Sequence, residues 1–141
     1  MGTELIRGRV QPNKLASDWS SRFAYSYGFR HGNMLWIAGQ IARDGKGMLV
    51  GVGNIEAQAV QVFENIQSVL EEAGATMSDL VSTTTYITSR PYRETVTEVR
   101  HRYLKGPHYP TNTLLIVQGL GLPEYLVEIE AVAVLRGSED A

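Results

Sequence analysis

The sequence runs to 141 residues with a net charge of −2, from 13 basic and 15 acidic side chains; the size suits one domain, and the balance lacks the basic excess of a nucleic-acid binder. Hydrophobic residues make up 43% and charged residues 20%, the proportions of a globular chain rather than a disordered one. Cysteine is absent, which excludes a disulfide framework, a thiolate nucleophile and a cysteine-based metal site; with no apolar run of about 18 residues and no signal-peptide layout, a soluble cytoplasmic chain without a membrane partner is expected.

One domain over residues 1–141 is expected, with 1–20 as an N-terminal segment of no assigned element and 137–141 as a flexible tail. Phe23, Tyr25, Tyr27 and Phe29 alternate with small or polar residues, His31-Gly32-Asn33 interrupts, and Met34 to Ala38 resumes a β-like run, which predicts strand, turn, strand. Asp44-Gly45-Lys46-Gly47 with Gly51 and Gly53 reads as a mobile flap ending at Asn54, a helix N-cap. From Ile55, apolar residues at Ala59, Val62, Phe63, Ile66, Val69, Leu70 and Ala73 recur at spacings of three and four, a helix with one buried stripe closed by Gly74. Leu80 to Thr88 is rich in β-branched residues and predicts a strand.

Ser89 is placed to cap a second helix, whose buried face holds Tyr92, Val96, Val99 and Tyr103 and which Gly106-Pro107 stops. Two more strands are predicted over Thr113–Val117 and Leu126–Leu135, separated by a Gly-rich loop. The order ββαβαββ gives an α+β fold with two helices on one face of a mixed sheet, so the other face needs a cover that oligomerisation supplies.

In the last strand, Val127, Ile129, Ala131 and Ala133 share one face and Glu128 and Glu130 the other. Glutamate is seldom buried without a partner, because desolvating a carboxylate costs several kcal/mol or forces it to take up a proton. Such an acid is either wet or functional. Glu130 is read as the structural partner of a basic group.

Gly32-Asn33-Met34, Ala38-Gly39-Gln40, Asn65-Ile66, Ala73-Gly74-Ala75, Tyr109-Pro110 and Val127-Glu128-Ile129-Glu130-Ala131, in this order and spacing, resemble the Rid family, also called YjgF-like, from about Tyr25 to Val134. The resemblance implies a chorismate-mutase-like protomer assembling as a homotrimer with ligand clefts between subunits, and hydrolysis of imines or enamines to a carbonyl compound and ammonia with no metal or organic cofactor. It implies that Glu128 orients the attacking water with the Leu114 carbonyl, that Tyr25 reaches the cleft from an adjacent subunit, and that the Gly39 backbone contacts the ligand. Some members are described instead as endoribonucleases or translation inhibitors.

Two positions depart from the pattern. Where deaminating members carry an arginine two residues beyond Pro110, a bidentate clamp for the substrate carboxylate, this chain has Asn112. A neutral amide in place of that cation gives up roughly 1–3 kcal/mol of binding. A simple 2-imino acid is therefore a poor match for the pocket, which Asn112 is still expected to line. Where the family often has an asparagine near the second helix, this chain has Thr97, or Val96 if the alignment slips by one.

Arg22, Arg30 and His31 flank the Tyr25 segment as replacement cations, and Phe23, Tyr25, Tyr27 and Trp36 suit a ring or extended apolar ligand. His31, His101 and His108 lack metal-ligand spacing, the hydroxyls of Ser82 to Thr88 lack a histidine partner, and the glycines of the flap are too irregular for a phosphate loop. The expected function is a Rid-like hydrolase or deaminase of a small imine, enamine or related reactive nitrogen metabolite. The alternative is a non-catalytic trimer that binds a metabolite or a protein.

Overall fold

The computed structural model describes residues 5–136; the tail 137–141 lies outside the described residues. The elements are β1 (Arg7–Val10), α1 (Ser17–Arg22), β2 (Gly28–His31), β3 (Met34–Gln40), α2 (Ile55–Glu72), β4 (Leu80–Ile87), α3 (Tyr92–Tyr103), β5 (Thr111–Ile116) and β6 (Val127–Val134). From β2 onward the order is the ββαβαββ expected. The N-terminal segment departs from expectation by contributing the edge strand β1 and the short helix α1.

The six strands form one mixed sheet in the order β1-β2-β3-β6-β4-β5. Only β4 and β5, joined through α3, run parallel; the other neighbours are antiparallel. Strand β6 therefore lies inside the sheet, between β3 and β4. Its Val127 and Ile129, with Leu35 of β3 and Ile87 of β4, are fully buried beneath the helices.

Helix α2 forms where the apolar spacing puts it. Asn54 caps it, its Oδ1 accepting from the Ala57 N–H at 3.0 Å, and Gly74 closes it at φ +77°. Val62, Phe63, Ile66, Val69 and Leu70 are all fully buried. Each such side chain stabilises the fold by roughly 1.5–3 kcal/mol relative to exposure. On α3, Val96 and Val99 enter the same core, and Tyr103 stacks on Phe63 at 5.2 Å between ring centroids.

Two local expectations fail. The alternation from Phe23 to Phe29 becomes a strand only at Gly28, because Phe23 to Ser26 is the exit from α1: the Tyr25 N–H bonds the Ser20 carbonyl at 3.0 Å and Ala24 takes φ +59°. Ser89 does not cap α3 through its side chain; Pro91 occupies the cap, and the Ser89 carbonyl accepts the Tyr92 N–H at 3.1 Å.

The sheet face away from the helices carries Trp36 and Leu115, 45% and 44% exposed, beside a shallow groove of 470 Å³ lined by Phe29, Trp36, Thr84 and Val132. This is the uncovered face that the topology implies. Among the described residues no helix is long and apolar enough to cross a membrane.

Candidate active site

Glu128 follows the alternation of β6 and stands on the uncovered face. Next to it β3 is bulged: Ile37 pairs with Ala131 and Gln40 with Ile129, so Ala38 and Gly39 together face Glu130 of β6. The bulge leaves room, and Gly39 keeps it. A Cβ at Gly39 would lie 2.1 Å from Glu128 Oε2, so the carboxylate rests on bare glycine backbone.

Burial pushes the Glu128 carboxyl above its ordinary value, and the charge of Glu130 adds to the rise. Glu130 itself is exposed and accepts a hydrogen bond from the Tyr86 hydroxyl. Among the described residues Glu130 has no basic ion-pair partner, so the expected cation is replaced by a neutral phenol.

A cleft of 870 Å³ opens beside Glu128, with Trp19, Tyr25, Gly39, Arg43 and Tyr125 in its wall. Tyr25 is 36% exposed; burial raises its hydroxyl above the ordinary value, a hydrogen bond with Trp19 opposes the rise, and Glu128 and Tyr125 add to it. Within one chain, Tyr25 lines the same cleft as Glu128. Phe23 lines the cleft as well. Tyr27 is buried with its hydroxyl on the Ala16 carbonyl at 3.0 Å, and Trp36 lies on the open sheet outside the cleft.

Asn112 and Leu114 are not brought into this cleft. They sit on β5, with β4 between them and β6, and Asn112 is in register with Thr83 on the helix-covered side. Asn112 Oδ1 lies 3.0 Å from the hydroxyls of both Thr83 and Thr85, with Arg100 Nη1 at 3.5 Å from it and 3.2 Å from Thr83 Oγ1. Leu114 is half-buried against the core. Thr97 returns its hydroxyl to the Arg93 carbonyl of its own helix at 2.8 Å, and Val96 is a core residue.

Of the three cations weighed from sequence, Arg22 lines the cleft and lies over the Phe23 ring. Arg30 is tied to the Gly32 and Ala73 carbonyls, and His31 is exposed at the end of β2; neither lines the cleft. The sequence reading missed Trp19, Arg43 and Tyr125. The segments of Arg43 and Tyr125 are held by α2, where Asn65 and Gln58 are buried on the apolar stripe. Asn65 Nδ2 donates to the Ile41 and Arg43 carbonyls at 3.0 and 2.9 Å. Gln58 donates to the Gly51 and Glu124 carbonyls at 3.0 and 2.8 Å and accepts from the Leu126 N–H at 2.9 Å. Polar residues a heptad apart on a buried stripe were the available signal, since such groups find partners.

Among the described residues no cluster of three or more histidine, aspartate or glutamate side chains is placed to hold a metal ion. The polar groups of the cleft are the acids Asp18 and Glu128, the phenols Tyr25 and Tyr125, backbone, and the cations Arg22, Arg43 and Lys46, a set suited to proton handling and ligand orientation.

The sequence model of the endoribonuclease L-PSP family, the Rid or YjgF-like proteins, matches residues 16–135. The chain belongs to the Rid family. A RutC family protein of Pyrococcus horikoshii is 37% identical over 109 residues, covering 77% of this chain and 85% of its own. A 2-iminobutanoate/2-iminopropanoate deaminase of Dermatophagoides farinae is 29% identical over 113 residues, covering 79% and 86%. The crystal structure of RidA from the Antarctic bacterium Psychrobacter sp. PAMC 21119 superposes with a TM-score of 0.81 at 30% identity, over 92% of this chain and all of that one. The mixed α+β sheet is thus the Rid fold, of the chorismate-mutase-like kind.

Proposed function

We propose that the cleft hydrolyses an imine or enamine, with Glu128 handling the proton of the attacking water. The observation that carries this reading is the seat of Glu128: half-buried on an inner strand, laid over Gly39, without a basic partner among the described residues, and facing an open cleft. An iminium carbon is already electrophilic, so the protein has to hold the ligand, place water and move a proton. Glu128 takes a proton from water as the oxygen adds to the C=N carbon. It returns that proton to nitrogen and, as a carboxylate again, takes the proton of the hydroxyl while the C–N bond breaks, leaving the carbonyl and ammonia, which carries the last proton away as ammonium. A carboxyl raised toward neutrality serves in both directions.

The reading includes a homotrimer in which the uncovered sheet faces meet and a neighbour's β5, with Asn112 and the Leu114 carbonyl, closes the cleft. The apolar exposure of Trp36 and Leu115 supports this, as does the edge position of β5. The deaminase relative supports the reaction class. Ammonia release from freshly generated 2-iminopropanoate and from a panel of uncharged imines tests it; turnover that survives Glu128→Gln refutes the mechanism.

A binding-only reading draws on Asn112, whose carbonyl oxygen is already occupied by three donors of its own chain. Thermal stabilisation by keto compounds without turnover of any imine selects it. Cleavage of RNA by rigorously purified protein selects the endoribonuclease reading.

A further inference from the structure

Arg43 is held in the cleft by neutral groups alone. Its Nε donates to the Tyr125 hydroxyl at 2.6 Å and its Nη1 to the Gly47 carbonyl at 2.8 Å. Its guanidinium lies over the Trp19 ring, 4.5 Å from the centroid, and 5.4 Å from that of Tyr125. Its backbone carbonyl is pinned by buried Asn65. Among the described residues no carboxylate is within ion-pair distance.

The guanidinium is a planar fork of N–H donors, and here one of its edges is left over. Nη2 has no protein acceptor among the described residues. It is also not sealed away, because no buried side-chain nitrogen or oxygen lacks a partner, so Nη2 reaches solvent where Arg43 lines the cleft. An arginine oriented by two rings, with a free donor edge and no counter-ion, is a preorganised anion receptor.

Arg43 and Glu128 line the same cleft without forming an ion pair among the described residues. The charge that reaches Glu128 is that of Glu130. The lining also holds the apolar side chains of Phe23 and Leu122, the acid Asp18 and two further cations, Arg22 and Lys46.

We propose that Arg43 is an anion-binding residue of the cleft, gripping the carboxylate of an apolar or aromatic imine whose C=N carbon is served by Glu128. The assignment rests on the hydrolase reading for the reaction and on Arg43 alone for the anion. It accounts for the neutral Asn112, since the ligand's charge is met beside the flap rather than on β5.

The test separates the two parts. Hydrolysis of the ketimines of 4-acetylbenzoate and of acetophenone is compared in wild type, Arg43→Gln and Arg43→Lys, and binding of the two parent ketones is measured by calorimetry. Arg43→Gln is expected to raise KM for the carboxylate-bearing imine by about tenfold or more beyond any change it causes for the uncharged imine, with kcat within about twofold; Arg43→Lys, which keeps the charge but not the fork, is expected to fall between. If no imine is turned over, tighter binding of 4-acetylbenzoate than of acetophenone, lost in Arg43→Gln, still supports the anion site while the hydrolase reading fails. Equal wild-type affinity for the two ketones, or binding of neither, overturns the proposal. Equal losses on both imines in either variant overturn it too, because they mark Arg43 as a support for the flap.

Discussion

The cleft beside β3 and the outer strand β5 each hold an arginine among neutral oxygens, and they differ in what is left over. At β5, Arg100 reaches Thr83 and Asn112, whose acceptor atoms also receive protein hydroxyls, and burial pulls its guanidinium below the ordinary value. At the cleft, Arg43 keeps a free donor edge and Glu128 keeps an uncompensated carboxyl. The first arrangement fastens a helix to a sheet edge; the second leaves bonding capacity for something that is not protein. Unused capacity marks the candidate site better than charge does.

Substitutions that remove that capacity on one side only put the contrast to the test. The largest effect is expected from Glu128→Gln, which should cut ammonia release from a turned-over imine by roughly a hundredfold to ten-thousandfold with the melting temperature close to wild type. Next comes Gly39→Ala, whose methyl must displace the Glu128 carboxylate; activity should fall with that of Glu128→Gln, and denaturant unfolding should show a loss of about 1–3 kcal/mol from overpacking.

On the β5 side, Asn112→Arg removes the acceptor of Thr83 and Thr85 and sets a second guanidinium beside Arg100. A loss of about 1–3 kcal/mol in unfolding free energy is expected, with no gain in turnover of 2-iminopropanoate. A gain would mean that β5, and not Arg43, is where this chain receives an anion.

The smallest effect is in pH dependence. Because burial raises the Glu128 carboxyl, the folded chain keeps this proton at pH values where the unfolded chain has lost it, so stability from this group is full below the ordinary glutamate range and declines as pH rises through the folded value. Melting temperatures of wild type and Glu128→Gln across mildly acidic to neutral pH should converge at the upper end less than at the lower, the variant lacking that downward slope.

Much of the scaffold was legible. The spacing of Val62, Phe63, Ile66 and Val69 gives α2, and the alternation around Glu128 gives β6 and its two faces, because in both cases burial follows local periodicity. The aromatic alternation before Gly28 misled, since a helix of six residues and the positive φ at Ala24 override it. Glu128, Gly39 and Tyr25 could be named from the sequence. Trp19, Arg43 and Tyr125 come from three distant segments that meet at the Arg43 guanidinium, and the placement of Asn112 depends on its register with Thr83, which no single strand encodes.

Gln58 has one further consequence. A single buried carboxamide ties the loop at Gly51 to the segment Glu124–Leu126, whose middle residue is the tyrosine that grips Arg43. The two loop segments are therefore fastened to each other through the long helix, and neither can loosen without straining the other.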